Sequence, residues 1–211
     1  MFLHFIGVII QHYSGHDYIY GLIPLFDVNE EANIPTFYST VALLFATALL
    51  SIIAISHRRN GSAYKYWVGL AIIFLFISID EFASIHELLS PSTRETLHTS
   101  GLLHFAWVIP YGIAFIAFGI AYLKFLIRLP KDIMILFIIS GAVFISGAIG
   151  FEMISAKRNE IYGYHEFIFL LYGMCEEFLE MLGVALFIYT LLTYIAKQFK
   201  SVTISINEPQ K

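Results

Sequence analysis

Five long apolar runs limit what this chain can fold into. They cover roughly Phe37–Ser56, Trp67–Leu89, Leu102–Leu126, Ile133–Met153 and Phe167–Ala196. A run of about 18 residues or more crosses the ~30 Å hydrocarbon core of a bilayer as an α-helix. Lipid offers no hydrogen-bond partners, so each crossing segment must satisfy its own backbone, and helices do that. The chain therefore reads as an all-α integral membrane helical bundle with five transmembrane helices. Its composition agrees, being 58% hydrophobic and 13% charged, whereas a soluble domain carries about 25% charged residues. The single cysteine, Cys175, excludes an intramolecular disulfide and a cysteine-rich zinc or iron–sulfur site.

The segment before the first run is harder to place. Met1–Ile10 is apolar but spans only about 15 Å as a helix, too short to cross. His12, Ser14, Gly15, His16 and Asp17 interrupt it, and a second short apolar piece, Tyr18–Phe26, follows. Residues 1–36 are expected to form an outward-facing interfacial or re-entrant segment, with a sixth, broken crossing as the alternative. Residues 37–196 form the five-helix domain, and residues 197–211 a cytoplasmic tail.

Lysine and arginine set the expected orientation. Arg58, Arg59, Lys65, Lys124, Arg128, Lys131, Lys197, Lys200 and Lys211 fall on one side, and Arg94, Lys157 and Arg158 on the other. That bias places the amino terminus outside and the carboxyl terminus in the cytoplasm. Of the acidic residues, only Asp132 and Glu208 fall on the cytoplasmic side, and of the histidines only His57.

Carboxylates inside the spans carry the functional signal. The second run holds Asp80, Glu81, His86 and Glu87, the fourth holds Glu152 near its end, and the fifth holds Glu176, Glu177 and Glu180. An ionisable group inside a bilayer costs at least a few kcal/mol and usually faces an interior site. Measured from the cytoplasmic anchors Trp67 and Tyr194 at 1.5 Å per residue, Asp80 and Glu180 lie about 20 Å up, and His86 and Glu176 about 28 Å up. Glu152, and secondarily His104, reach the same level from their own inner ends. Asp80, Ser84 and Glu87 share one helical stripe, and Glu176, Glu180 and Gly183 another. Gly147, Ala148, Gly150 and Gly173 flank the cluster and let helices approach closely. No lysine or arginine lies within these outer-half segments, so grouped carboxylates need a metal or shared protons.

Such a donor set suits iron, manganese or zinc. The candidate ligands are Asp80, Glu81, His86, Glu87, Glu152, Glu176, Glu177 and Glu180, with His104 secondary. No local spacing is diagnostic, since neither HExxH nor a repeated Glu-x-x-His is present. His12, His16, His98 and His165 are expected at the surface. Trp107, Tyr111, Tyr162 and Tyr164 fit an outer aromatic belt, and Tyr64, Tyr66 and Trp67 an inner one.

Several strings go together: Phe26-Asp27, Asn33-Ile34-Pro35-Thr36 and Ser39; Ser78-Ile79-Asp80-Glu81 with His86-Glu87; Phe105-Ala106-Trp107-Val108-Ile109-Pro110; Gly150-Phe151-Glu152-Met153; and Glu176-Glu177-Phe178-Leu179-Glu180-Met181-Leu182-Gly183. With these the chain, from about Phe26 to Tyr194, resembles a family of uncharacterised bacterial multi-pass membrane proteins. The resemblance implies a bacterial inner-membrane setting and carries no activity.

Three function classes follow from the residues. One is a metal-binding membrane protein, a hydrolase or oxidoreductase with a spare carboxylate as general base. Another is a proton- or cation-coupled carrier or channel component in which the carboxylates titrate. The third is a structural or assembly subunit. Membrane lipid is the expected partner, with a homo-oligomer or a membrane complex also open and nucleic acid not expected.

Overall fold

The computed structural model describes residues 2–14, 21–28, 30, 33–164 and 166–199. The expectations for His16, His165, the His12 side chain and the tail beyond Phe199 lie outside the described residues. The elements are α1 (Phe2–Ser14), α2 (Leu22–Phe26), α3 (Ile34–Arg59), α4 (Lys65–Ala83), α5 (Ile85–Leu97), a 3₁₀ turn (Gly101–Leu103), α6 (Val108–Leu126), α7 (Lys131–Ile145), a π-helical segment (Ser146–Phe151), α8 (Glu152–Tyr162) and α9 (Phe167–Gln198). No strand occurs among the described residues.

Five helices are long and apolar enough to cross a membrane: Ile34–Arg59, Lys65–Ala83, Val108–Leu126, Lys131–Tyr162 and Phe167–Gln198. They present large apolar side chains outward. On α6, Ile113, Ile116 and Ile120 are 65%, 63% and 73% exposed. Each such side chain gains about 1.5–3 kcal/mol when removed from water, so lipid completes the burial that the bundle leaves undone. This is a multi-pass membrane protein.

Local chemistry fixes the helix ends. The Asn33 side chain accepts the Thr36 amide hydrogen bond at 3.1 Å, and Pro35 sits in the first turn of α3. His57, Arg58 and Arg59 fill its last turn, where positive charge complements the helix dipole. Glu166 caps α9, accepting from the Phe169 amide at 2.9 Å, and Arg158 grips the same carboxylate with two bonds of 2.9 and 2.8 Å.

The bundle has two unlike ends. At the basic end, the tips of α3, α4, α6, α7 and α9 come together. Leu50, Ile53, Ile133 and Leu191 are fully buried there, and Trp67 and Tyr194 nearly so, with ring centroids 4.7 Å apart. The Tyr194 hydroxyl meets His57 Nε2 at 2.8 Å, and Lys197 pairs with Asp132. At the acidic end a separate, smaller buried group joins Val8 of α1 to Phe169 and Leu170 of α9. The Val28 amide donates to His4 Nδ1 at 3.2 Å, tying α1 to the loop ahead of α3.

Four sequence readings need correction. The second run is not one helix: Ser84 adopts a left-handed conformation (φ 48°), ending α4 and starting α5. Asp80, Ser84 and Glu87 therefore do not form a stripe. The third span begins at Val108, so His104 lies in the connection, one residue beyond the 3₁₀ turn. The fourth continues to Tyr162, past the expected Met153. Trp67 and Trp107 are 2% and 8% exposed, which makes them interior groups and not belt anchors.

Candidate functional site: an acidic intramembrane chamber

A chamber of about 1100 Å³ lies between α4, α6, α7 and α9 under α5. Asp80, Glu81, His86, Glu87, His104, Glu152, Glu176, Glu177 and Glu180 all line it. Residues separated by up to a hundred positions thus meet in one space. Glu87 is the most solvent-open of them.

The helix break at Ser84 builds the first part of the site. It turns the chain so that the Asp80 carboxylate accepts the His86 amide hydrogen bond at 2.8 Å, standing in for a cap on α5. The same carboxylate faces His86 Nδ1 at 3.2 Å and accepts the Tyr111 hydroxyl at 3.0 Å. A carboxylate only accepts, so Nδ1 is the donor and a neutral His86 keeps its lone pair on Nε2. Asp80 is 6% exposed, and these bonds compensate its desolvation.

Glu152 and Glu176 form the second part. Glu152 follows the π-helical segment, whose wider turn carries Gly147 and Gly150. Trp107 Nε1 donates to Glu152 Oε1 at 2.7 Å, and the Trp107 ring lies 4.7 Å from His86. The Glu152 and Glu176 side chains lie close enough to interact directly. Two ionised carboxylates side by side repel each other, so the pair calls for a shared proton or a bound cation.

Close helix contact holds these groups at one level. A Cβ on Gly147 would meet the Glu176 carbonyl oxygen at 2.6 Å and Glu180 Cγ at 3.0 Å. One on Gly183 would meet the Phe144 backbone nitrogen at 2.7 Å and Cα at 2.8 Å. The stripe Glu176, Glu180, Gly183 read from the sequence therefore survives, with its carboxylates on the chamber and its glycine against α7.

Helix α5 forms the roof. His86, Glu87, Ser90, Pro91 and Arg94 line the chamber, whereas Leu88 and Leu97 point away, 74% and 53% exposed. The Trp107 amide donates to Ser90 Oγ at 3.2 Å. Arg94 Nη1 lies 3.0 Å from His104 Nε2. Burial, and then the Arg94 guanidinium, hold the His104 pKa below its ordinary value, with Glu160 opposing. A neutral imidazole accepts the Arg94 hydrogen bond.

Arg94 overturns the reading that no basic side chain reaches the cluster. Sequence spacing placed it in an outer connection, because the turn at Ser84 that folds α5 over the chamber was invisible. Trp107 and Tyr111 were missed for a related reason: aromatics near a span end ordinarily mark the interface. Trp107 did fall within the string Phe105–Pro110 that goes with the family resemblance. Among the described residues, no three His, Cys, Asp or Glu side chains stand together in metal-holding geometry. The groups are paired instead, as Asp80 with His86 and Glu152 with Glu176.

Fold and chamber together define a class: a helical multi-pass membrane protein with a carboxylate-lined cavity between its spans. The chain belongs to the family described as a domain of unknown function, DUF8692, which matches residues 1–195. No curated protein and no solved structure matches it.

Proposed function

We propose that the acidic end of the chamber binds a divalent metal ion (iron, manganese or zinc) and works on a molecule that enters between the helices. The Asp80–His86 pair carries this reading. Histidine ligands of metals commonly donate the other ring nitrogen to a carboxylate, which fixes tautomer and orientation. Asp80 holds His86 in that state. The nearby Glu152, Glu176, Glu177 and Glu180 supply oxygen ligands, and Glu81 and Glu87 add to the negative field. Binding needs rotamer changes, which glutamates make easily, and would release any proton held between Glu152 and Glu176. A bound ion would polarise a substrate oxygen or water, with a remaining carboxylate as base, the chemistry of a membrane hydrolase or oxidoreductase. By lysine and arginine bias the chamber faces outward in a bacterial inner membrane, with the carboxyl terminus in the cytoplasm.

Elemental analysis of the protein purified without a His tag or chelator tests this. The parent should carry one or two equivalents of metal, lost in Glu180→Ala. A metal-free parent that takes up none of the three ions would end the proposal.

The adjacent Glu152 and Glu176 carboxyls favour a second reading, a proton- or cation-coupled carrier component. Against it, the basic end is plugged by Trp67, Phe125, Phe137 and Tyr194, with ring centroids between 4.7 and 6.5 Å apart. Proton flux in vesicles that is abolished by Glu176→Gln would support the carrier.

A further inference from the structure

The chamber changes character along its length. Seven carboxylates gather at its upper end, with Arg94 as the one guanidinium among the residues lining it. Below them the walls are apolar, and the floor closes where Phe74 stacks on Phe187 at 4.5 Å and Phe137 meets the same ring at 5.0 Å. From Glu176 to Phe187 the rise along α9 is about 17 Å. We propose that the chamber binds a single-chain amphiphile with an amine head, the head among the carboxylates and the chain reaching toward Phe137 and Phe187.

The charge decides the head group. Arg94 is the one guanidinium set against the seven carboxylates, so the upper end carries an acidic remainder. The remainder repels an anionic head and attracts an ammonium, and the low dielectric between helices strengthens both effects. The wall decides the tail. Ligand pockets of roughly this volume, ~300–1,000 Å³, are lined mainly by apolar and aromatic side chains, with a few polar groups that fix orientation. Here the charged groups sit at one end only, which orders a ligand lengthwise. The inference rests on the reading that this chamber is the working site, but it does not require the metal.

The test uses the full chain in lipid nanodiscs and a dodecylamine analogue with a photoreactive group at the chain end. Peptide mass spectrometry should find label on α7 and α9 near Phe137 and Phe187. Excess dodecylamine should suppress that label severalfold, and dodecanoate should not. Gly141 lines the chamber, and a Cβ there meets nothing within 4 Å. Gly141→Leu should therefore fill the chamber and lose the label while keeping the parent's metal content, and Gly141→Ala should keep both. Label confined to lipid-facing Ile113, Ile116 and Ile120, equal competition by dodecanoate, or undiminished labelling of Gly141→Leu would overturn the proposal. Specific labelling of a metal-free protein would sink the metal reading and leave this one standing; a metal-loaded protein without specific label would do the reverse.

Discussion

The basic end and the acidic end of this bundle are made from the same five helices and solve opposite problems. At the basic end, Leu50, Ile53, Ile133 and Leu191 leave no surface exposed, and charges stay on the rim, as with Lys197 and Asp132. At the acidic end, α6 stands across a chamber from α7 and α9, and seven carboxylates line it. The basic end follows the rule that interiors are close-packed. The acidic end breaks it and brings charge inside the membrane, which natural sequences do mainly at functional sites. The contrast teaches where stability resides and where function resides.

Substitutions can break or sharpen that division. The largest effect is expected at Gly183, which joins the two ends by letting α7 meet α9. Gly183→Leu drives a side chain into the Phe144 backbone, which cannot swing aside as a side chain can, and should lose the folded bundle. A monodisperse, native-like variant in size-exclusion chromatography would refute the close approach. Next comes Leu50→Ala at the basic end, expected to cost about 2–5 kcal/mol. Thermal unfolding in detergent checks it, and metal content should not change. Asp80→Asn comes third. It leaves the His86 tautomer unfixed and should weaken metal binding by about 10–100-fold, the usual effect of losing such a partner. Metal titration reads this, and unaltered affinity would remove Asp80 from the account.

The smallest effect concerns the cap of α9. The Arg158 guanidinium, and with it the Phe169 amide, holds the Glu166 carboxyl down to about 2. A lowered folded pKa adds stability above the unfolded value near 4.5, lost as pH falls toward 2. The pair is partly open to solvent, which screens it, so its contribution is small. Hydrogen exchange at the first turn of α9 should rise below pH 4 in the parent and be already raised at pH 7 in Glu166→Gln. Equal protection of the two at pH 7 would show that the clasp does nothing.

Much of this architecture was legible in the residues, for stated reasons. Five spans follow from apolar length, and the gathering of Asp80, Glu152, Glu176 and Glu180 follows from depth, because helix rise is constant. What stayed hidden depends on backbone direction. Ser84 gives no local warning of a left-handed turn, and Asp80 caps a helix six residues ahead, outside ordinary capping spacing. From that one turn come the α5 roof, the entry of Arg94 and the loss of the Asp80–Glu87 stripe. Trp107 looked like a belt residue because its partner, Glu152, lies forty-five positions away.

The most direct test of the division is the thermal midpoint of the purified protein with and without added manganese, iron or zinc, for the parent, Glu180→Ala and Leu50→Ala. A ligand that binds the folded state raises its stability by mass action. The account predicts that one of these ions raises the midpoint of the parent and of Leu50→Ala by similar amounts and leaves Glu180→Ala unmoved. An equal rise in Glu180→Ala, or none in the parent, would contradict it.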